Sequence, residues 1–232
     1  MTNLAAAVLD PLLRADASKP RITYYDDATA ERIELSTVTF ANWAAKTGNL
    51  LRDELGAGSG SRVAVLLPAH WQTAAVVFGV WWIGAEVVVG AGEADVVMCT
   101  AARLPEADAT EVVALSLDPF GRPVDDLPPG VTDYATSVRV QGDQIVAERR
   151  PGPALAARSA DDVLAASLDS AAAQGISGHD RVLSTANWDT DTALVDGLLA
   201  IFAIGASLVQ VAHPEPSALD RHRITENVTV AL

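Results

Sequence analysis

Two short turns carry side chains suited to contacting a ligand. His70-Trp71-Gln72-Thr73 follows the apolar run at 63–67, and Asn187-Trp188-Asp189-Thr190 follows Arg181-Val182-Leu183-Ser184. In each, polar groups and an indole stand where a strand gives way to a helix. Polar residues beyond the carboxyl end of a strand are the usual ligand contacts of open α/β sheets. His70, Trp71, Asn187, Trp188, Asp189 and Asp191 are therefore the candidate cleft residues. A structural reading competes at each. Asp189 or Asp191 can cap the following helix while Trp188 packs against it, and capping asks only for local geometry. For His70, a hydrated loop histidine is the commoner state.

Other chemistries find less support. His213, Glu215 and His222 come nearest to a metal set, but Pro214 and Pro216 interrupt them and no ligand spacing repeats, so a solvated loop is expected and no metal is assigned. Gly90-Ala91-Gly92-Glu93-Ala94-Asp95 follows a strand, yet Asp95 stands where a dinucleotide fingerprint needs glycine. The residues after it, Val96-Val97-Met98-Cys99, read as strand, so no helix N-terminus receives a pyrophosphate. Gly56-Ala57-Gly58-Ser59-Gly60 reads as a connector. Cys99 is the sole cysteine, which excludes an internal disulfide and a cysteine zinc cluster. Its apolar setting predicts a small buried residue rather than a nucleophile. Of the 16 basic residues only Lys19 and Lys46 are lysines, and neither follows a glycine-rich loop, so a Walker-type phosphate loop is absent. No Gly-x-Ser-x-Gly elbow exists. Catalytic residues and cofactors are accordingly assigned as none.

The elements that must position the two turns are legible. Residues 22–35 predict a hairpin around Asp26-Asp27-Ala28-Thr29. A helix follows, with Thr39 as its cap and Trp43, Thr47, Leu50, Leu51 and Leu55 on one face. Then come a strand at 63–67, a helix near 71–84 and a strand from Glu86. Buried strands are expected at 95–99 and 111–115, and a second hairpin at 138–146 around Gly142-Asp143. Arg149-Arg150-Pro151-Gly152-Pro153 reads as a linker between lobes 1–150 and 151–232. Beyond it, Asp161 or Asp162 caps a helix, and strand, turn, helix and strand return. Arg62-Val63-Ala64-Val65 … Gly84-Ala85 matches Arg181-Val182-Leu183-Ser184 … Gly205-Ala206, so the second lobe repeats residues 40–90. Short strand–helix–strand crossovers imply parallel pairing, and two copies imply a cleft between them. Trp81-Trp82 could mark a partner surface, since adjacent helical residues diverge.

Leu35 to Val89 resembles the N-terminal part of adenylate-forming enzymes, the acyl-CoA synthetases and adenylation domains. The resemblance rests on Thr39, Phe40, Trp43 and Ala44, on Gly60-x-Arg62-Val63-Ala64-Val65-Leu66-Leu67-Pro68, and on a buried helix closing at Gly84-Ala85. Asp180-Arg181-Val182-Leu183 through Gly205-Ala206 is similar to a later segment of the same family. Ile22-Thr23-Tyr24-Tyr25-Asp26 further resembles a small actinobacterial set of such proteins. The resemblance implies an α/β fold of two similar lobes with mainly parallel strands. It also implies that Trp188 lies where the family has an aromatic residue lining the acyl pocket, with the neighbouring acid beside the substrate in some members.

The departures are chemical. The family's Ser/Thr/Gly-rich phosphate loop, ending in Pro-Lys-Gly, should precede the helix near 161–173, but the stretch at 141–150 contains no Lys, Ser or Thr. The chain also stops at Leu232, before the family's adenine motif, ribose-binding Asp and C-terminal domain with its catalytic Lys. The expected function is a non-catalytic module binding a small ligand or a protein partner, a second copy included. The alternatives are a residual acyl- or CoA-handling or AMP-binding enzyme completed by another chain, and a purely structural remnant.

Composition bounds these readings. The 232 residues are 50% apolar and 20% charged, enough to offset the ordering entropy of a folded core. Acidic residues outnumber basic ones 30 to 16, a net charge of −14 that disfavours nucleic acid as a partner. Residues 63–85 lack charge, but Pro68, His70, Gln72 and Thr73 cut them into strand, turn and buried helix rather than a membrane span. The first twenty residues lack the basic segment of a secretory signal, so a cytoplasmic location is expected.

Overall fold

Asn3 begins the architecture by satisfying two helices at once. Its Oδ1 accepts from the Ala6 amide at 3.1 Å, starting α1 (Leu4–Asp16), while its Nδ2 donates to the Trp81 and Trp82 carbonyls at the far end of α3 (Trp71–Trp82). Helix ends leave such donors and acceptors unpaired, so one amide side chain closes two gaps. These details come from a computed structural model that describes residues 2–232.

The hairpin of β1 (Pro20–Asp26) and β2 (Glu31–Ser36) is antiparallel, with Tyr24 opposite Ile33 and Asp26 opposite Glu31. The Asp26 carboxylate accepts from the Ala28 amide at 2.9 Å and tightens the turn. Helix α2 (Thr37–Asn49) follows without a loop and runs on through a π turn at Leu50–Glu54. Its cap is Ser36, not Thr39. Ser36 ends the strand with an extended backbone, and its Oγ accepts from the Thr39 amide at 3.2 Å. Helices α2 and α3 meet at Gly48 and Gly79. A Cβ on Gly79 would lie 2.9 Å from the Ala44 carbonyl and the Gly48 amide, so only glycine permits this approach.

Strands β3 (Arg62–Leu66), β4 (Glu86–Val89), β5 (Val96–Thr100), β6 (Glu111–Leu115) and β7 (Val131–Asp133) form one parallel sheet in the order β4-β3-β5-β6-β7. The second sheet runs β10-β8-β9-β1-β2, with β8 (Arg181–Ser184), β9 (Ser207–Ala212) and β10 (Val230–Ala231). Only its β1–β2 pair is antiparallel. The repeat stands: β3–α3–β4 and β8–β9 are both parallel crossover units. In the second the crossover is α6 (Asp191–Leu194), a π turn at Val195–Leu199 and α7 (Ala200–Ala203). The sheets nevertheless cross the expected boundary at 150, because the N-terminal hairpin extends the sheet built from β8–β10. Phe40 of α2, Phe78 of α3 and Phe202 of α7 meet with centroids 5.4–5.7 Å apart and bind the two repeat units into one core.

Several local expectations change. Residues 138–146 form no hairpin. Asp133 caps α4 (Tyr134–Arg139), accepting from the Thr136 amide at 2.7 Å, and buried Tyr134, Ala135 and Val138 share its inner face. Val140 and Val146 are left exposed, so the segment has no apolar face to give a sheet. Residues 149–153 do not swing as a free linker. Gly152 donates to the Gly84 carbonyl, and the Ala154 carbonyl accepts from both Val87 and the Trp81 indole. The cap of α5 (Ala160–Ala173) is Ser159, whose Oγ accepts from Asp162 N. Asp161 and Asp162 fall inside the first turn, where the helix dipole favours them. Trp81 and Trp82 are both buried and offer no partner surface. The last helix, α8 (Pro216–Thr225), packs on the β8–β10 side.

Candidate functional site

The carboxyl ends of β1, β3, β6 and β9 open on a common cavity of about 620 Å³. Its wall includes Tyr24, Asp26, Glu31, His70, Asp118 and Arg122. Both sheets contribute, but His213 is the one lining residue from 151–232, and the residues are not the ones expected of a cleft between lobes.

His70 is the best-built member. It is the cap of α3, with Nδ1 accepting from the Gln72 amide at 3.1 Å. Its ring meets Tyr24 edge-on at 4.3 Å and lies 5.5 Å from the Trp71 ring. It is 2% exposed, not a hydrated loop residue. Its Nε2 faces Glu31 Oε1 at 3.9 Å, beyond hydrogen-bonding reach, and neither atom has a partner. A buried polar group left unpaired costs about 1–3 kcal/mol.

Burial also lowers the His70 pKa, against the pull of Glu31 and Asp26. The unfolded chain takes up a proton near the ordinary histidine value of about 6.5, while the folded chain resists it. This residue therefore makes folding less favourable as pH falls below about 6.5. Asparagine is also a good cap. The variant His70→Asn should lose less stability than wild type between pH 7 and pH 5, as read from urea midpoints. Equal losses in the two proteins would contradict this origin.

The hairpin turn gathers the C-terminal histidines. Asp26 Oδ1 lies 2.9 Å from exposed His213 Nδ1. Asp27 Oδ1 lies 2.8 Å from His222 Nε2, and its Oδ2 accepts from the Glu215 amide. Burial alone would raise the Asp27 pKa, but these bonds hold it below the usual carboxylate range. His222 thus sits buried on α8 and not in a solvated loop. No group of three or more His, Cys, Asp or Glu could hold a metal ion among the described residues. Cys99 is buried in β5, and burial raises its thiol pKa.

The remaining candidates lie elsewhere. Trp71 lines a separate pocket of about 130 Å³ with Trp43, Phe120 and Tyr134. Asn187, Asp189 and Asp191 are exposed, and Trp188 is buried against Gly197, where a Cβ would come within 2.9 Å of its Nε1. Neither Asp189 nor Asp191 caps the next helix. Thr190 does, its Oγ1 accepting from Ala193 N at 3.1 Å. Partial desolvation of its carboxylate against the protein, then Glu86, raises the Asp191 pKa. The two turns therefore do not share the cavity, which takes His70 alone from this set. Tyr24, Asp26, Glu31, Asp118 and Arg122 were not singled out. The acid-rich hairpin tip, with Glu31 paired to Asp26 across the strands, was the available signal.

Residues 141–150 form a strap laid across α2. Asn49 Nδ2 donates to the Gly142 and Gln144 carbonyls at 2.7 and 3.0 Å, and Lys46 Nζ donates to the Gln141 carbonyl. Ile145 reaches over Gly48, and the Glu148 amide is engaged by the Trp82 carbonyl.

This architecture is that of the N-terminal domain of adenylate-forming enzymes. An acyl-CoA synthetase from Brucella canis superposes with a TM-score of 0.82 at 17% identity, over 99% of this chain and 47% of that one. A benzoate CoA ligase from Burkholderia xenovorans LB400 gives 0.75 at 16%, over 100% and 50%. An anthranilate CoA ligase in complex with anthranoyl-AMP gives 0.73 at 16%, over 90% and 44%. The chain spans about half the length of these solved structures. A TIGR03089 family protein of Mycobacterium tuberculosis is 65% identical over 239 residues, covering 100% of this chain and 98% of that protein, and the chain belongs to this family. No family model matches it. No helix among the described residues is long and apolar enough to cross a membrane.

Proposed function

We propose that the chain is a binding module on the adenylate-forming fold, one that holds a small molecule without activating it with ATP. The observation that carries this reading is the strap at 141–150. It stands where the family resemblance places the phosphate loop, it contains no Lys, Ser or Thr, and its carbonyls accept from Lys46 and Asn49. Adenylyl transfer depends on donors and cations placed at developing phosphate charge. Loss of one such donor typically costs about 3 kcal/mol of transition-state stabilisation. The cavity supports uptake of a ligand at the strand ends, and its carboxylates oppose a triphosphate. The reading places the protein in the reducing cytoplasm, where a buried free thiol such as Cys99 persists.

The expected result of an ATP–pyrophosphate exchange assay with acetate, benzoate and a long-chain fatty acid is exchange no faster than the protein-free blank. Exchange that depends on one of the acids and scales with protein concentration would overturn the proposal.

A further inference from the structure

Glu31 carries a charge that the chain itself leaves uncompensated. Its side chain is 10% exposed, and Oε1 is enclosed without a hydrogen-bond donor. Among the described residues the only basic group within 4 Å is His70, at 3.9 Å. Burial holds the His70 pKa below the ordinary histidine value, so at neutral pH the ring is uncharged and cannot be the counter-ion. What remains open of Glu31 faces the cavity of about 620 Å³ and a neighbouring one of about 470 Å³, both of which it lines. A carboxylate closed on its protein side can be neutralised only from its open side, so the balancing charge must come from within these cavities.

The wall of the larger cavity adds charge of the same sign. Asp26, Asp118 and Asp125 bring three more carboxylates against one guanidinium, Arg122, and the exposed imidazole of His213. The backbone aims two of them. Asp26 Oδ1 accepts from the Ala28 amide at 2.9 Å, and Asp118 Oδ1 from the Phe120 and Arg122 amides at 2.8 and 3.2 Å. A concave wall of one sign focuses its field and concentrates the opposite ion. A metal ion does not fit, since no group of three or more His, Cys, Asp or Glu among the described residues could hold one. An organic ammonium asks for less. Its three N–H donors meet carboxylates one at a time, and its hydrocarbon can lie on Pro68, Leu117 and Pro119. Resting on the binding reading above, we infer that this cavity is a site for a small organic amine, bound as its ammonium with Glu31 as counter-ion. Water fills the same space but brings no charge, and that difference is what the experiment reads.

The test is NMR titration of the full chain, following the amides of Tyr24, Asp26, Glu31 and Asp118. The probes are putrescine and ethanolamine, with 1,4-butanediol and succinate as the neutral and anionic counterparts of putrescine. Physiological ionic strength screens loosely attracted ions. At least one amine should shift these signals saturably, and neither counterpart should do so at the same concentration. The variant Glu31→Gln keeps the shape and removes the charge, and it should weaken binding about tenfold, the loss of one charge-assisted hydrogen bond. Arg122→Gln removes a like charge from the wall and should tighten binding about threefold. Glu93→Gln removes a charge from a side chain that is 96% exposed and outside this wall, and it should leave the affinity unchanged. No saturable shift from either amine, an equal response to the diol, unchanged affinity in folded Glu31→Gln, or weaker binding in Arg122→Gln would each overturn the assignment. So would an equal loss in Glu93→Gln, the mark of attraction to the net charge of −14 alone. Should ATP shift the same signals instead, both the amine assignment and the non-adenylating reading fall. If the amines fail and ATP stays silent, only the former does.

Discussion

Replacing Trp81 with alanine is expected to cost about 4 kcal/mol of unfolding free energy. Trp81 leads the largest fully buried side chains, at 1% exposure. Its ring meets Phe78 edge-on at 5.3 Å, beside the Phe40–Phe78–Phe202 cluster that joins the two repeat units. Its Nε1 donates to the Ala154 carbonyl at 2.8 Å and holds the segment after the strap against the β4 edge. Truncation removes the apolar contact, leaves a cavity and orphans one acceptor. The variant Trp81→Phe fills most of the space and loses the bond, so about 2 kcal/mol is expected for it. Urea midpoints at unchanged m-value read both. A loss below about 1 kcal/mol for Trp81→Ala would show that this ring does not join the halves.

Loss of the Glu226 carboxylate has a comparable expected effect for an electrostatic reason. Its Oε1 accepts from the Tyr25 hydroxyl at 2.6 Å and from Arg32 Nε at 3.0 Å, and its Oε2 from Arg181 Nη2 at 2.5 Å. The side chain is 4% exposed, and it ties the end of α8 to β1, β2 and β8. Glu226→Ala takes the acceptor from buried Tyr25 and leaves Arg181 only the longer contact to Glu34 at 3.4 Å, so a cost of about 3 kcal/mol, the low end for breaking a buried pair, is expected. Arg32, largely solvated, contributes little to that figure. Burial alone would raise the Glu226 pKa, but the Tyr25, Arg181 and Arg32 donors lower it overall. A depressed carboxylate stabilises the fold above its unfolded value of about 4.3 and loses that contribution as pH falls toward its folded value. Wild type should therefore lose stability more steeply than Glu226→Ala as pH drops below about 4.3. Parallel acid limbs in the two proteins would contradict the network.

The repeat was legible because each copy joins a short apolar strand to a helix through a polar turn ending at glycine, Gly84 and Gly205, both left-handed in the structure. The caps were not, for one recurring reason. Ser36, Ser159 and Thr190 each lie one to three residues from another capping type, and the choice falls on the residue whose backbone is still extended. Gly142-Asp143 looked like a hairpin turn, but turn chemistry without an alternating apolar face does not make strands. His70 was legible from its place after a strand. Its neighbour Glu31 was not, because only the pairing of β1 with β9 carries the hairpin to the mouth of the other sheet. Trp188 had the composition of a ligand contact, and a bare Gly197 opposite it made it a packing residue instead.

Whether this scaffold grips a triphosphate is decided by calorimetric titration of the protein with ATP and Mg²⁺. The account predicts heats indistinguishable from dilution, because the strap at 141–150 lies pinned to α2 and carries no Lys, Ser or Thr to grip a phosphate. Saturable binding at micromolar ATP, weakened by substitutions in that strap, would contradict it.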